Sequence, residues 1–150
     1  MFEKVEFTNM CMIKDGNKVV VIDRKANDWP GITFPGGHVE RGEYVTPSVI
    51  REMKEETGLT IINPKLCGIK EFHKMKDGKR YIVFLYVASQ FSGELKSSAE
   101  GDVFWYPLSE LSRSNKLIDG FEEMLPVFTS DEISEVFYER NGDELNTVFC

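Results

Sequence analysis

The sequence contains few cysteines, and their spacing fits no common use of cysteine. Cys11, Cys67 and Cys150 form no Cys-x-x-Cys pair, and three is an odd number. A disulfide framework needs an even set, and a zinc site needs clustered thiols or imidazoles. We therefore expect neither feature, and we expect reduced thiols in a cytoplasmic protein.

Long apolar runs are also missing. The longest wholly apolar stretch, from Tyr81 to Ala88, is far shorter than the ~20 residues that a membrane helix needs. The opening residues have no basic segment followed by an apolar stretch, so we expect no secretory signal peptide. These absences predict a cytoplasmic protein without a membrane partner.

Basic residues are outnumbered: 18 Lys and Arg stand against 25 Asp and Glu, and the formal charge is −7. Proteins that bind nucleic acid polymers or anionic membranes through their charge need clustered basic side chains, so neither is an expected partner. The remaining composition, with 41% hydrophobic and 29% charged residues in a chain of 150, is typical of a globular domain. No repeat or linker divides the chain, so we predict a single domain over residues 1–150.

Apolar segments separated by turn residues predict an α/β fold. We predict one hairpin over residues 7–14 and 18–24, and a second over residues 65–75 and 80–91. Two further strands are predicted over 32–34 and 102–106. A helical turn is predicted after residue 109, and a short helix over 121–128. The unbroken apolar run 81–87 indicates a strand in the sheet interior. The segment Pro35-Gly36-Gly37 is expected to exclude regular structure. Strands interleaved with helices indicate a mixed sheet covered by helices on its faces.

The clearest predicted helix runs from Thr46 to Thr57. Thr46 is suited to the N-cap, and Pro47 suits the first turn because its missing N–H is not needed there. Gly58 fits the left-handed position that ends many helices. Apolar residues recur at helical spacing and predict one core face, formed by Val49, Ile50, Met53 and Thr57.

The C-terminal residues carry a hairpin signal. Asn141-Gly142, a dipeptide favoured in tight type I′ turns, lies between two apolar segments. We predict a terminal hairpin over residues 134–149. Two roles stay open for it: a contact in a homodimer, or a flap over a substrate cleft in a monomer.

Three glutamates of the predicted helix lie where their negative charges destabilise it. Glu52, Glu55 and Glu56 are spaced by three and four residues, so their carboxylates share one face near the helix C-terminus. Like charges at this spacing cost roughly 0.2–0.5 kcal/mol per pair, and the helix dipole disfavours anions there. Arg51 can pair with Glu55 at a spacing of four residues.

Two interpretations fit this acidic face. It is either a solvated helix surface or a binding site for a divalent cation. Hard oxygen ligands suit Mg²⁺ or Mn²⁺ rather than zinc. Glu43 supplies a further carboxylate just upstream, and Gly36 and Gly37 allow a main-chain carbonyl to approach closely. A bound cation would offset the repulsion, and such local exceptions to folding rules are expected at functional sites.

The segment from Gly37 to Leu59 resembles the Nudix box of Nudix hydrolases, Gly-x5-Glu-x7-Arg-Glu-U-x-Glu-Glu-x-Gly-U, in which U is a bulky aliphatic residue. Its fixed positions are all occupied, by Gly37, Glu43, Arg51, Glu52, Glu55, Glu56 and Gly58, with Met53 and Leu59 at the two U positions. The flanks agree as well. Residues 34–37 resemble the family's lead-in to the box, and residues 105–111 resemble its later strand-to-helix exit.

The resemblance implies an α/β/α sandwich with a mixed sheet. It also implies an enzyme that hydrolyses a nucleoside diphosphate linked to a further moiety, with Mg²⁺, or Mn²⁺ in its place, as cofactor. In the family's pattern, Glu52, Glu55 and Glu56 bind the metal, and the Gly36 carbonyl is a candidate ligand.

Further catalytic roles follow from the same resemblance. Glu52 is a candidate base for the attacking water, Arg51 orients the carboxylates, and Glu43 supports the metal site. Glu100 lies where many members place an additional carboxylate, although Asp102 competes for that assignment.

The resemblance narrows the substrate class through marks outside the box. ADP-ribose hydrolases tend to carry a proline beyond the box where this chain has Lys74, and dinucleotide polyphosphate hydrolases tend to carry a tyrosine where it has residues 75–77. The chain looks most like the MutT-type group, which cleaves nucleoside triphosphates to a monophosphate and pyrophosphate. Oxidised purine nucleotides such as 8-oxo-dGTP are the predicted substrates. A hydrolase of ADP-ribose or dinucleotides, and a non-catalytic nucleotide sensor, are the alternatives.

Recognition of a base needs a stacking platform and polar groups that read its edge. Trp29 either stacks on a base or fills the core beneath its loop. Asn9 and Thr33 either read base edges or form ordinary strand hydrogen bonds. Arg24 and Lys25 either contact phosphates or are exposed loop charges. The predicted partner is a small nucleotide, bound by a monomer or a homodimer.

Overall fold

The computed structural model describes residues 1–27 and 29–150. Its strands are β1 (Val5–Asp15), β2 (Lys18–Arg24), β3 (Gly31–Thr33), β4 (Gly36–His38), β5 (Thr60–Ile62), β6 (Lys65–His73), β7 (Arg80–Ala88), β8 (Gln90–Ser92), β9 (Gly101–Pro107), β10 (Glu135–Asn141) and β11 (Glu144–Phe149). Its helices are α1 (Val45–Thr57), α2 (Leu108–Leu111) and α3 (Phe121–Thr129). No helix in these described ranges is both long and apolar enough to cross a membrane.

The sheet is mixed and is organised around the long strand β1. Among the described residues, nine strands join in the order β11-β10-β6-β7-β1-β2-β3, with β4 also paired to β1 and β9 to β2. β1 runs parallel to β7 over most of its length and turns into an antiparallel hairpin with β2 at Lys14 and Asp15. One strand therefore connects the two halves of the sheet.

Helices cover both faces of this sheet. On one face, Val49 and Met53 of α1 pack with Cys11 and Ile13 in a fully enclosed cluster. On the other face, α2 and α3 cover a second cluster, in which the ring of Phe34 meets that of Phe121 edge-on at 4.9 Å. This arrangement confirms the α/β/α sandwich.

Helix α1 ends where predicted, but a different residue caps its N-terminus. Its N-cap is Tyr44, so the prediction of Thr46 as N-cap is wrong. The Thr46 hydroxyl instead lies 2.7 Å from the hydroxyl of Tyr86 in β7, a tertiary contact that the local sequence does not encode. The predicted end is confirmed, because Gly58 has φ 77° and its N–H bonds to the carbonyl of Lys54.

The segment Pro35-Gly36-Gly37 does not exclude regular structure, contrary to prediction. Gly36 and Gly37 begin β4, which pairs antiparallel with β1 opposite Met10 and Asn9. A Cβ on Gly36 would lie 2.1 Å from the carbonyl oxygen of Asn9. Glycine is therefore required here because the two strands approach so closely, and not because the chain turns.

Several strand boundaries also differ from prediction. The strand expected over 32–34 is β3, shifted by one residue, and the strand expected over 80–91 divides into β7 and β8. β8 leaves the main sheet to pair with β5, which the sequence pattern did not reveal. The run 81–87 lies between β6 and β1 as predicted, although several of its side chains are only half-buried.

The terminal hairpin is confirmed. β10 pairs with β11 from Val136 opposite Phe149 to Asn141 opposite Glu144, and Gly142 in the turn has φ 64°. β10 also runs parallel to β6 at Glu135 and Val136, so the hairpin extends the sheet at its edge.

We predict that the variants G36A and G37A differ in stability although they are neighbours. A Cβ at Gly36 meets the backbone of β1, whereas a Cβ at Gly37 meets the carboxyl end of the Glu52 side chain, which can turn away. G36A should lower the free energy of unfolding by about 1–3 kcal/mol, and G37A by clearly less. Urea denaturation of both variants measures this. Equal losses would contradict the predicted difference between backbone and side-chain contact.

Candidate active site

The guanidinium of Arg51, in the middle of α1, hydrogen-bonds to several of the carboxylates around it. Its Nε and Nη2 donate to the two carboxylate oxygens of Glu43 at 2.8 and 2.9 Å, a bidentate pair. Its Nη1 donates to Glu52 at 3.0 Å and to Glu55 at 3.2 Å. Nη2 also donates to the carbonyl oxygen of His38 at 3.1 Å, which fixes the guanidinium to β4.

Glu43 is the anionic partner that holds Arg51 in place. Hydrogen bonds from Arg51, followed by one from the backbone N–H of Glu40, lower the pKa of Glu43 to about 2. The same interaction raises the pKa of Arg51. Glu43 is therefore ionised throughout the physiological pH range, and its carboxylate holds the guanidinium of Arg51 in one orientation.

Glu52 lies directly beneath the backbone of Gly37. A Cβ at Gly37 would fall 2.3–2.5 Å from the carboxyl atoms of Glu52, so any other residue would displace this carboxylate. Burial raises the pKa of Glu52, and the nearby charges of Glu55 and Glu100 act in the same direction, while Arg51 opposes them. The glycine thus lets a carboxylate approach the main chain in a partly dehydrated position.

Glu56 is the most buried of the helix carboxylates, with 8% of its surface exposed. It accepts a hydrogen bond from the N–H of Gly36 at 2.9 Å. Burial raises its pKa to about 8, with further contributions from the charges of Glu52 and Glu100, and Arg24 opposes the shift. Burial and neighbouring negative charge thus both disfavour the ionised form of Glu56, so a nearby positive charge would stabilise that form.

Glu100 and Asp102, the two candidates for the additional carboxylate, lie in different surroundings. The charge of Glu100 acts on both Glu52 and Glu56. Asp102 instead lies 3.4 Å from the ammonium of Lys25, and both side chains are largely exposed. The structure thus associates Glu100 with the carboxylate cluster and Asp102 with a surface ion pair.

The oxygen atoms in this cluster suit a hard divalent cation, although the carboxylates accept hydrogen bonds from other groups of the protein. Within residues 1–27 and 29–150, no three carboxylate, imidazole or thiol groups are arranged so that they could hold one metal ion. Glu52 and Glu55 bond to Arg51, and Glu56 bonds to Gly36. The donors are nevertheless all oxygens, as Mg²⁺ and Mn²⁺ prefer, and a cation would offset the burial of Glu56.

The residues predicted to recognise a base lie in two different environments. Asn9 is buried, and its amide donates to the hydroxyl of Ser48 at 2.9 Å and accepts from the N–H of Gly37 at 3.2 Å. Thr33 is buried as well, with its hydroxyl 4.0 Å from the sulfur of Met10. Trp29 is 38% exposed. Asn9 thus positions β4 against α1, and contact of Asn9, Thr33 or Trp29 with a base stays a prediction.

One contributor was not assigned to the site from the sequence. Ser48 is fully buried in the first turn of α1 and connects Asn9 to the carbonyl of Val45. The sequence does contain a signal for the bond to Asn9, because a serine stands next to Val49 on the apolar face of the helix. Arg24, one of the two predicted phosphate contacts, ends β2, and its charge lowers the pKa of Glu56.

We predict that the variant E43Q loses stability in a pH-dependent manner. The folded-state pKa of Glu43 lies below its ordinary 4.5, so its contribution to stability is present above about pH 4.5 and disappears as the pH falls towards 2. The melting temperature of E43Q should therefore fall below that of the unmodified protein at about pH 7, and the gap should narrow at about pH 3.

The variant E40Q is the matched control for E43Q. Glu40 lies on the same loop, but its carboxylate is 70% exposed and 3.9 Å from Arg51. E40Q should melt with the unmodified protein at both pH values. A gap for E43Q that is equally large at both values would show that lost packing, and not lost charge, is responsible.

Comparison with known proteins is consistent with this geometry. The family model described as NUDIX domain matches residues 7–136. The Nudix hydrolase YvcI of Bacillus subtilis is 36% identical over 106 residues, which cover 67% of this chain and 65% of that protein. An ADP-ribose pyrophosphatase of Methanocaldococcus jannaschii is 37% identical over 87 residues, which cover 57% of this chain and 52% of that protein. The matched region thus spans less than two thirds of each of these relatives.

A solved structure extends the likeness over nearly the whole chain. The crystal structure of the mutator MutT protein from Bacillus halodurans has a TM-score of 0.78 and 27% sequence identity. The match covers 96% of this chain and 97% of that one. With the box residues gathered around Arg51 and the family model matched over most of its length, this chain belongs to the Nudix family.

Proposed function

We propose that this protein is a single-domain Nudix hydrolase that cleaves a phosphoanhydride bond in a nucleoside diphosphate derivative. The observation that carries the proposal is the placement of Glu52 and Glu56 beside the Gly36-Gly37 backbone, with Arg51 as the organising cation. A cluster of carboxylates is costly for folding alone, and it suits a reaction in which a cation-bound diphosphate is attacked by water. A non-catalytic sensor would not need all of these carboxylates.

We propose that Glu52, Glu55, Glu56 and the carbonyl of Gly36 are the ligands of the divalent cation, with the three side chains moving closer together to hold it. Magnesium is the proposed ion, and manganese is the proposed substitute, because both prefer oxygen ligands. When bound, the cation neutralises phosphate oxygens of the substrate and lowers the pKa of a coordinated water. Glu55 is the most accessible of the three carboxylates, with 59% of its side chain exposed.

The proposed base is Glu52, which takes the proton from the attacking water. Its carboxylate is 13% exposed and is held by one hydrogen bond from Arg51, so its orientation is fixed before the substrate binds. Arg51 is held in turn by Glu43, which makes Glu43 a positioning residue. Glu100 is the second candidate base, because it lies on the turn before β9 and its charge acts on Glu52.

We propose nucleoside triphosphates as substrates, with release of a monophosphate and pyrophosphate, and among them oxidised purine nucleotides such as 8-oxo-dGTP. The likeness to the MutT protein of Bacillus halodurans along nearly the whole chain supports the reaction type. Trp29, Asn9 and Thr33 are the proposed base contacts. Arg24 is the proposed phosphate contact, because its positive charge already acts at Glu56.

ADP-ribose is the second candidate substrate, because the relative from Methanocaldococcus jannaschii is an ADP-ribose pyrophosphatase. Lys74 argues against ADP-ribose, because it stands at the position where such enzymes tend to carry a proline. Its ammonium bonds to Glu6 at 2.9 Å and lies 4.7 Å above the ring of Tyr81. Lys74 also donates its backbone N–H to the carbonyl of Lys79 at the turn between β6 and β7, a hydrogen bond that a proline could not make.

A substrate screen tests the reaction and the substrate class. With Mg²⁺ and, in parallel, Mn²⁺, we expect 8-oxo-dGTP to be hydrolysed with a kcat/KM at least about tenfold above that of dGTP, because polar groups in the base site would discriminate the oxidised edge. Pyrophosphate release and product chromatography over triphosphates, ADP-ribose, NADH and dinucleotides measure this. Preference for ADP-ribose over every triphosphate would contradict the proposed substrate, and tight binding without any turnover would favour the sensor.

The variant E52Q tests the proposed base. It should lower kcat by about 10²–10⁴-fold, the usual contribution of general base catalysis, while its melting temperature is retained. Unchanged turnover in E52Q would remove Glu52 from the mechanism.

The variants E100Q and D102N test the second carboxylate. E100Q should lower kcat, because the charge of Glu100 acts on Glu52, whereas D102N should retain activity because Asp102 pairs with Lys25 at the surface. The two side chains lie two positions apart in the sequence, so the pair is closely matched. Loss of activity in D102N with retention in E100Q would reverse this assignment.

A further inference from the structure

The strand β11 forms one end of the sheet. Each of its residues is opposite a residue of β10. Among residues 1–27 and 29–150, no other strand pairs with its outer edge. The N–H and C=O groups along that edge are therefore available to a further strand.

The edge of β11 carries none of the usual protection against pairing. Natural edge strands are commonly shielded by lysine, proline, a bulge or very short length. β11 has the sequence Glu-Leu-Asn-Thr-Val-Phe, and it pairs with β10 without any shift of register. Its one charged residue, Glu144, lies at the end of the strand.

Two large apolar side chains are exposed on one face of this strand. Leu145 is 58% exposed and Phe149 is 41% exposed. They point to the same face as Thr147, because side chains alternate along a strand. That face of the hairpin is the one on which Val136 enters the core beneath α3, since Val136 is opposite Phe149.

The positions of these side chains suit a second copy of the same strand. When two copies pair antiparallel about a two-fold axis normal to the sheet, opposite residues must lie on the same face, so the axis passes through a residue position. With Thr147 on the axis, Leu145 of each copy lies opposite Phe149 of the other. The two exposed apolar side chains of one copy thus meet those of its partner as two equivalent cross-strand pairs.

The charges are compatible with this register as well. Glu144 lies opposite Cys150, whose side chain is uncharged, and the two copies of Glu144 are separated by roughly 20 Å along the strands. No side chains of like charge meet. With Asn146 on the axis, by contrast, Leu145 would lie opposite Thr147, and Phe149 would lie beyond the end of the partner strand.

We propose that β11 is a homodimerisation edge, at which two copies of this chain pair antiparallel with Thr147 on the two-fold axis and join their sheets into one. A strand pair of this length buries less than the ~800 Å² per partner of a standard stable interface. The dimer therefore forms in a concentration-dependent equilibrium with the monomer. This proposal does not depend on the catalytic assignment.

Disulfide trapping in the full chain tests the register. Cys150, an exposed free thiol, is first replaced by serine, and a cysteine is then placed at Thr147 or at Asn146. Residues opposite one another have Cα atoms about 4.5–5.5 Å apart, within disulfide reach, so the T147C/C150S protein should form a covalent dimer under mild oxidation. In the matched N146C/C150S protein, the two Cα atoms would be roughly 8 Å apart, and we expect little covalent dimer.

The variant T147K tests the same edge without cysteine chemistry, because it places two ammonium groups together at the axis. Light scattering of the unmodified protein should show the mass rising from 17.2 kDa towards twice that value with concentration. T147K should remain at the monomer mass, and the matched surface variant T60K, on β5, should associate like the unmodified protein.

Four results would overturn the proposal. They are absence of a covalent dimer in T147C/C150S, equal trapping of both cysteine variants, preferential trapping of N146C/C150S, and a dimer that persists in T147K. The first would exclude pairing at this edge, the next two would exclude the register, and the last would place the interface elsewhere.

Discussion

The close approach of the Gly36-Gly37 backbone to its neighbours is the constraint on which the site depends. On one side, Gly36 lies so near β1 that a Cβ would meet the carbonyl of Asn9 at 2.1 Å. On the other side, Glu56 bonds to the N–H of Gly36, and Glu52 lies under Gly37. Strand β4 thus lies between the central strand of the sheet and the carboxylate face of α1, and only residues without side chains fit there.

Arg51 completes this arrangement from the solvent side. The Nε–Nη2 edge of its guanidinium pairs with Glu43. Its Nη1 donates to Glu52 and Glu55, and Nη2 also donates to the carbonyl of His38. The helix carboxylates repel one another, and burial raises the pKa of Glu52 and Glu56. Arg51 therefore supplies the fixed positive charge that allows the cluster to exist in the folded chain, and a divalent cation is the proposed source of the rest.

The sequence predicted the elements that depend on local pattern. The hairpins, the end of α1 at Gly58 and the terminal turn at Gly142 follow from apolar periodicity and from turn residues, which act within a few positions of the chain. The errors have the opposite character. Thr46 bonds to Tyr86 rather than capping the helix, and Gly36-Gly37 form a strand because of a contact with β1. Both depend on residues far away in the chain, which no local pattern reports.

The sequence by itself determined the family, because the box positions are read as identities at fixed spacing and need no coordinates. It also determined that the carboxylates share one helix face, since that follows from the helical period. Only the tertiary structure decided how deeply Glu56 is buried, that Asn9 and Ser48 connect β4 to α1, and that β11 lies at the open end of the sheet. These outcomes depend on how distant strands stack, and the free energy of that packing is a property of the whole chain rather than of any segment.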